Sequence, residues 1–167
     1  MTAITPRTPR IHIPDLGPRG EGWVALQAVF FVAVIGTGIA GPFWAGPVRA
    51  IGAIAGLALM AGGIALIAGG VVALRRQLTA FPRPVDDGRL IEDGAFGLVR
   101  HPMYGGGVLF AIGWGLALAS VPSLLCGVLI GLFFDLKSRR EESWLGDRFP
   151  TYAEYRRRTR RLIPWIY

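Results

Sequence analysis

The sequence is poor in the residues that cross-link chains or bind metals. Cys126 is the only cysteine, so no disulfide can form within the chain. His12 and His101 are the only histidines, and this shortage of imidazole ligands argues against a metal site. Charged residues are also scarce, at 17% of 167 residues, and they are missing from long stretches of the chain. These shortages exclude a disulfide scaffold and argue against an ordinary soluble domain.

What the sequence has instead is apolar. Hydrophobic residues make up 52% of the chain and the mean hydropathy is +0.46. The net charge is +7, but the basic residues lie in blocks beside apolar runs and accompany no nucleic-acid-reading motif. Basic blocks in such positions are typical of cytoplasmic anchors that contact anionic lipid. The composition therefore predicts an integral membrane protein with a single domain and no nucleic-acid partner.

The first half of the chain predicts an arm and two transmembrane helices. Residues 1–22 are polar and contain four prolines, which indicates a cytoplasmic N-terminal arm and no cleaved signal peptide. The first span runs from Trp23 to about Ala40, and the second from Val48 to Leu74. Gly52 and Gly56 have the spacing that lets helices approach closely, and packing within one chain is favoured over a dimer seam.

The apolar run from Gly105 to Leu136 is too long for one span. As a single helix it would reach about 48 Å, beyond the hydrocarbon core of about 30 Å. Ser120 and Pro122 interrupt it with a helix-start signal. The sequence therefore predicts a hairpin of two short spans, at about 105–120 and 122–137.

The distribution of arginines favours four crossings. Basic residues precede the first span, follow the second and follow the hairpin, so four crossings place all three groups on one side with both termini cytoplasmic. Residues 137–167 are predicted to continue as an amphipathic helix at the interface, with Arg156–Arg158, Arg160 and Arg161 facing lipid phosphates. The expected fold is all-α, with four transmembrane helices and an amphipathic C-terminal helix.

Two polar clusters stand at the ends of the hairpin. Arg100, His101 and Tyr104 precede it, and Glu141 and Glu142 follow it. An arginine can bind a carboxylate or phosphate through two nitrogens, a tyrosine offers a flat face and a hydroxyl, and a glutamate can accept from ribose hydroxyls or an ammonium. The alternative is that these residues are interfacial anchors and helix-surface pairs, but their position at both ends of one hairpin favours a binding site.

The same residues carry a family resemblance over roughly residues 75–164. The motifs are Leu90-x-x-x-Gly94-x-Phe96-x-x-Val99-Arg100-His101-Pro102-Met103-Tyr104-x-Gly106 and Lys137-x-x-x-Glu141-Glu142-x-x-Leu145-x-x-x-Phe149-x-x-Tyr152-x-x-Tyr155, ending Arg161-Leu162-Ile163-Pro164. The pair resembles the isoprenylcysteine carboxyl methyltransferase and phospholipid methyltransferase superfamily. Phe96 and Pro150 depart from it, because a tyrosine and a glycine are usual there.

The resemblance implies S-adenosylmethionine as cofactor, bound between the hairpin and the C-terminal tail. Its contacts would be Arg100, His101, Tyr104, Glu141 and Glu142, with Glu142 expected to face the cofactor more directly than Glu141. Residues 75–167 would form the cofactor-binding half, and residues 23–74 would govern substrate choice. No catalytic residue is assigned.

The expected function is methyl transfer to a lipophilic acceptor at the membrane edge, such as an isoprenylcysteine-like carboxylate, a phospholipid or another small lipid. The implied location is a bacterial inner membrane. Two alternatives remain open at this point. One is an NADPH-dependent membrane reductase of the sterol type, which has a similar C-terminal architecture. The other is a small membrane protein without catalytic activity that packs against or anchors a partner.

Overall fold

The computed structural model describes residues 13–39, 42–79, 81–83 and 88–167. Its helices are α1 (Glu21–Gly38), α2 (Gly46–Leu74), α3 (Ala95–Leu98), α4 (Pro102–Ala117), α5 (Val121–Arg148) and α6 (Tyr152–Arg158). A short 3-10 turn, Arg75–Gln77, extends α2. No strand occurs in these described ranges, where one isolated bridge joins Val99 to Arg160. The expected all-α class is confirmed for this part of the chain.

Three helices are long and apolar enough to cross a membrane: α1, α2 with its 3-10 extension, and α5. Large apolar side chains on their outer faces are exposed, including Val32, Ile54 and Leu125, as suits contact with lipid. Helix α4 is apolar but has 16 residues, so it spans about 24 Å. Four crossings with cytoplasmic termini therefore remain a prediction. Residues 1–12 of the expected arm and Ala40 lie outside the described residues.

The break in the third apolar run is where the sequence predicted it. Helix α4 ends at Ala117, Ala119 has a positive φ of 55°, and α5 begins at Val121. Ser120 caps α5 by accepting a hydrogen bond from the backbone N–H of Ser123 at 3.3 Å, and Pro122 occupies the first turn. However, α5 does not end near residue 137. It continues to Arg148, so one helix carries both the apolar segment and the two glutamates.

The C-terminal region differs from the single amphipathic helix that was expected over residues 137–167. Pro150 lacks a backbone N–H and restricts Phe149 to an extended conformation, which ends α5. Helix α6 has only seven residues, and the chain beyond it is not helical. This last segment runs back beside α4, with the backbone N–H of Arg100 donating to the Arg160 carbonyl at 2.8 Å.

Glycines bring α2 and α4 into close contact. A Cβ added at Gly56 would lie 2.5 Å from the carbonyl oxygen of Gly113, and one at Gly63 would lie 2.6 Å from that of Gly106. Gly52 also faces α4, so the glycine pair noted in the sequence packs within the chain as predicted. Close backbone approach through small residues replaces the hydrophobic effect as a source of helix association in lipid. This contact holds the first turn of α4 against the end of α2.

Candidate functional site

The two polar clusters meet where α4 begins and α5 leaves its apolar segment. Arg100 Nε lies 2.7 Å from Glu142 Oε1, and the Tyr104 hydroxyl donates to Glu141 Oε2 at 2.7 Å. His101 lies between the glutamates, with Nε2 3.4 Å from Glu142 Oε1 and Nδ1 3.8 Å from Glu141 Oε2. The predicted proximity of all five side chains is therefore confirmed. The hairpin produces it because α4 and α5 are antiparallel neighbours.

Arg100 is mostly committed to bonds within the protein. Besides the ion pair with Glu142, its Nη1 donates to the carbonyl oxygens of Arg156, at 3.1 Å, and of Thr159. Arg161 reaches the same carboxylate, with Nε 3.3 Å from Glu142 Oε1. A buried carboxylate needs such compensation. Arg161 was expected to face lipid phosphates, and the structure corrects this because the side chain points inward to Glu142.

A cavity of about 670 Å³ opens beside this cluster. Helices α1, α2, α4 and α5 supply its apolar wall, and the segment between α2 and α4 supplies its rim. Four of the five predicted residues line it: Arg100, His101, Tyr104 and Glu141. Glu142 is not among the lining residues. Glu141 therefore faces the cavity and Glu142 lies beneath it, which favours Glu141 over the expected Glu142 as a ligand contact.

Tyr104 has little free surface for a ligand. Its ring stacks on His101 with centroids 5.4 Å apart and on Phe134 with centroids 4.8 Å apart, both nearly parallel. Its hydroxyl is bonded to Glu141. The flat face that the sequence suggested for ligand contact is therefore largely used in packing, and Tyr104 orients the Glu141 carboxylate toward the cavity.

Tyr152 is a cavity residue that the site prediction omitted. Its side chain is buried, it lines the cavity, and its hydroxyl has no hydrogen-bond partner among the described residues. Burial, followed by the negative charge of Glu142, raises the pKa of Tyr152, so the hydroxyl stays protonated at neutral pH. Tyr155, three residues later, is buried too but donates to the Phe96 carbonyl at 2.7 Å. Both tyrosines belong to the motif that carries the family resemblance, but the motif does not show that only Tyr152 has an unpaired hydroxyl.

Lys137 also lines the cavity, and its ammonium is buried. Nζ donates to Gln27 Oε1 of α1 at 2.6 Å and lies 4.8 Å from the centroid of the Tyr104 ring. Glu141 lies one helical turn after Lys137 and attracts it electrostatically, but the two form no ion pair. The structure gives the lysine a neutral amide from another helix as its hydrogen-bond partner.

One family profile and two known proteins match parts of this chain. Residues 51–151 match the sequence profile described as Phospholipid methyltransferase, which is well over half of the 167 residues. The Protein-S-isoprenylcysteine O-methyltransferase of Schizosaccharomyces pombe is 34% identical over 82 residues, covering 48% of this chain and 35% of that protein. The Cobalt-zinc-cadmium resistance protein CzcN of Cupriavidus metallidurans is 35% identical over 79 residues, covering 45% and 35% respectively.

These alignments cover about a third of the length of the two curated relatives. The profile match is broader in this chain, and it covers most of α2, all of α4 and α5, and most of the residues that line the cavity. The five residues of the polar cluster thus lie inside the matched region, whereas α1 and the cavity residue Tyr152 lie outside it. This chain belongs to the phospholipid methyltransferase family.

Proposed function

We propose that this protein transfers a methyl group from S-adenosylmethionine to a lipophilic acceptor bound in the cavity. The observation that carries the proposal is the composition of the cavity wall. Arg100, His101 and Glu141 supply polar lining, and Phe31 and Ile67 from the membrane helices supply apolar lining. A site with a polar and an apolar wall suits a reaction between a charged cofactor and a lipid.

The polar wall has the donors and acceptors that the cofactor requires. The Tyr152 hydroxyl is buried without a hydrogen-bond partner among the described residues. His101 Nε2 lies 3.4 Å from Glu142 Oε1 without the geometry of a hydrogen bond. Glu141 offers a carboxylate to an ammonium or a diol, and its side chain is 22% exposed. Arg100 keeps Nη2, since its other donors bond to Glu142 and to backbone carbonyls. We therefore propose Arg100, His101, Tyr152 and Glu141 as direct contacts, with Tyr104 and Glu142 supporting them.

When bound, S-adenosylmethionine supplies a methyl group on a sulfonium, which is already reactive toward oxygen, nitrogen and sulfur nucleophiles. The protein then has to hold the acceptor in line and exclude water, because positioning supplies most of the catalysis in such a reaction. The apolar wall suits both tasks. Phe31, Phe134 and Gly107 belong to α1, α5 and α4 and line the cavity, so a lipid chain can pack against them. No side chain is assigned as a general base.

Calorimetric titration of the purified protein with S-adenosylhomocysteine, beside NADPH as a control, tests the proposal. We expect saturable binding of S-adenosylhomocysteine at one site and no binding of NADPH. The variant Glu141→Gln should weaken the affinity by about tenfold, because hydrogen bonds to charged groups contribute about 1.5–3 kcal/mol. Arg139→Gln is the matched control, since Arg139 is on the same helix but is 46% exposed and does not line the cavity. Binding of NADPH in place of S-adenosylhomocysteine would reject the proposal.

A transfer assay then tests the acceptor. Native membranes from cells that express the protein are incubated with S-adenosylmethionine carrying a radioactive methyl group, and the products are divided between organic and aqueous phases. We expect the label in the organic phase. A label that stays in water-soluble acceptors would contradict a lipophilic substrate.

A further inference from the structure

Lys137 is unusual in this chain because it is the only lysine among 18 basic residues, and it is buried. Its side chain is 2% exposed. Among the described residues, no carboxylate lies within ion-pair distance of its ammonium, and Gln27 is its hydrogen-bond partner. An ammonium has three donors, so one bond to an amide leaves two of them for a ligand. Burying an ammonium without an ion pair is costly, and an anionic ligand beside it would offset that cost.

The charges around the cavity compensate this lysine only in part, because Glu141 attracts it from beyond ion-pair distance. The lining cations are Arg83, Arg89, Arg100 and Lys137, and Glu141 is the lining carboxylate among the described residues. Glu142 neutralises Arg100 from below, and Glu141 accepts a hydrogen bond from the neutral Tyr104 hydroxyl but keeps its charge. The lining cations still outnumber the lining carboxylate among the described residues, so the charge balance favours an anion near Lys137.

The position of Lys137 separates it from the proposed cofactor contacts. It precedes Glu141 by four residues on α5, which places it about 6 Å deeper along the helix, toward the apolar segment. Gln27, its partner, is on α1, and Phe31 lies one turn further along that helix in the cavity wall. Lys137 therefore lies where the polar wall meets the apolar wall. The polar group of a lipid whose chain rests on the apolar wall would reach this point.

We infer that Lys137, oriented by Gln27, binds an anionic group on the methyl acceptor, either a carboxylate or a phosphate. This inference rests on the proposed function, because it names the acceptor that the same cavity would select. Lysine suits the role as a compact charge on a flexible stem, whereas the planar arginine fork requires fixed geometry. The acceptor class is thus an amphiphile with an anion next to its lipid chain.

The test compares amphiphiles that differ only in the anion. N-acetyl-farnesylcysteine and its neutral amide form the carboxylate pair, and farnesyl phosphate and farnesol form the phosphate pair. Binding to the full-length protein in a neutral detergent is measured with S-adenosylhomocysteine present. We expect the wild type to bind one anionic probe at least about tenfold more tightly than its neutral match. The pair that shows the preference identifies the anion.

Variants assign that preference to the lysine. Lys137→Met should abolish it and leave the affinity for S-adenosylhomocysteine within about twofold of the wild type, while Lys137→Arg should keep part of it. Arg139→Met removes one positive charge from the exposed side of the same helix and should keep the full preference. An unchanged preference in Lys137→Met overturns the inference. So does a tenfold loss of S-adenosylhomocysteine affinity, which would place Lys137 at the cofactor.

A measurement on the wild type avoids dependence on variants that fail to fold. Because the chain has a single lysine, biosynthetic labelling with lysine enriched in ¹³C at Cε gives one side-chain resonance. The anionic probe should shift that resonance and its neutral match should not; equal shifts from both would overturn the inference. If the protein shows the anion effect but does not bind S-adenosylhomocysteine, the proposed function fails while the anion site at Lys137 stands.

Discussion

Arg100 and Glu142 form an ion pair of 2.7 Å in which the side chains are only 8% and 4% exposed. The pair joins Arg100, just before α4, to Glu142 in the polar C-terminal part of α5, 42 positions later. Arg161 approaches the same carboxylate from the last segment of the chain. The Glu142 carboxylate thus links three separate parts of the sequence: the residues before α4, helix α5 and the C-terminal segment.

The two glutamates should separate stability from binding. Glu142→Gln leaves Arg100 without its buried counter-ion, and breaking a buried pair costs about 3–5 kcal/mol. Arg161 keeps its ion pair with Asp135 at 2.8 Å. Glu141→Gln removes a partly exposed cavity carboxylate and should change stability by less than about 1 kcal/mol. Thermal unfolding in one detergent, beside titration with S-adenosylhomocysteine, measures both quantities. Equal destabilisation by the two variants would show that the glutamates are not divided in this way.

Removal of single hydroxyls should distinguish the two buried tyrosines. Tyr152→Phe removes a hydroxyl without a described partner, so stability should be unchanged or raised, while S-adenosylhomocysteine affinity falls about fivefold or more. Tyr155→Phe removes a donor to the Phe96 carbonyl and should destabilise the protein by about 1 kcal/mol with little effect on binding. Thermal unfolding and titration with S-adenosylhomocysteine again measure the two effects. Full affinity in Tyr152→Phe would show that this hydroxyl does not contact the cofactor.

Adjacent glycines of α2 provide a test of the contact with α4. A Cβ at Gly63 would lie 2.6 Å from the Gly106 carbonyl oxygen, whereas a Cβ at Gly62 meets nothing within 4 Å. Gly63→Ala should destabilise the protein by about 1–3 kcal/mol through overpacking, and Gly62→Ala should be neutral or stabilising. The thermal midpoints of the two variants give the comparison. Because the contact positions the start of α4, Gly63→Ala should also weaken cofactor binding.

Cysteine labelling tests whether α5 crosses the membrane, as the predicted hairpin requires. In a Cys126→Ala background, single cysteines replace Val121 at the start of α5 and Arg157 in α6, both of which are exposed. A membrane-impermeant maleimide should label the two positions from opposite sides of a sealed vesicle. Labelling of both from one side would show that the hairpin does not cross the membrane as predicted.

Much of the fold could be predicted because its signals are local. Apolar runs set the extents of α1 and α2 to within about two residues, and Ser120 with Pro122 marked the break between α4 and α5. Clusters at both ends of one hairpin also had to meet, whatever the details of packing. The extension of α5 to Arg148 was missed because the polar residues after 137 were assigned to a separate interfacial helix. In the structure they continue α5.

The sequence by itself determined that this is a helical membrane protein, where its hairpin turns and which polar residues gather there. Hydropathy, helix breaks and short-range spacing encode these features directly. Only the tertiary structure decided that Glu141 faces the cavity, that Arg161 points inward, and that Gln27 meets Lys137 across 110 residues. Those outcomes depend on the rotation of each helix about its axis. Long-range contacts such as the glycine seam between α2 and α4 set that rotation, and neighbouring helical positions point about 100° apart.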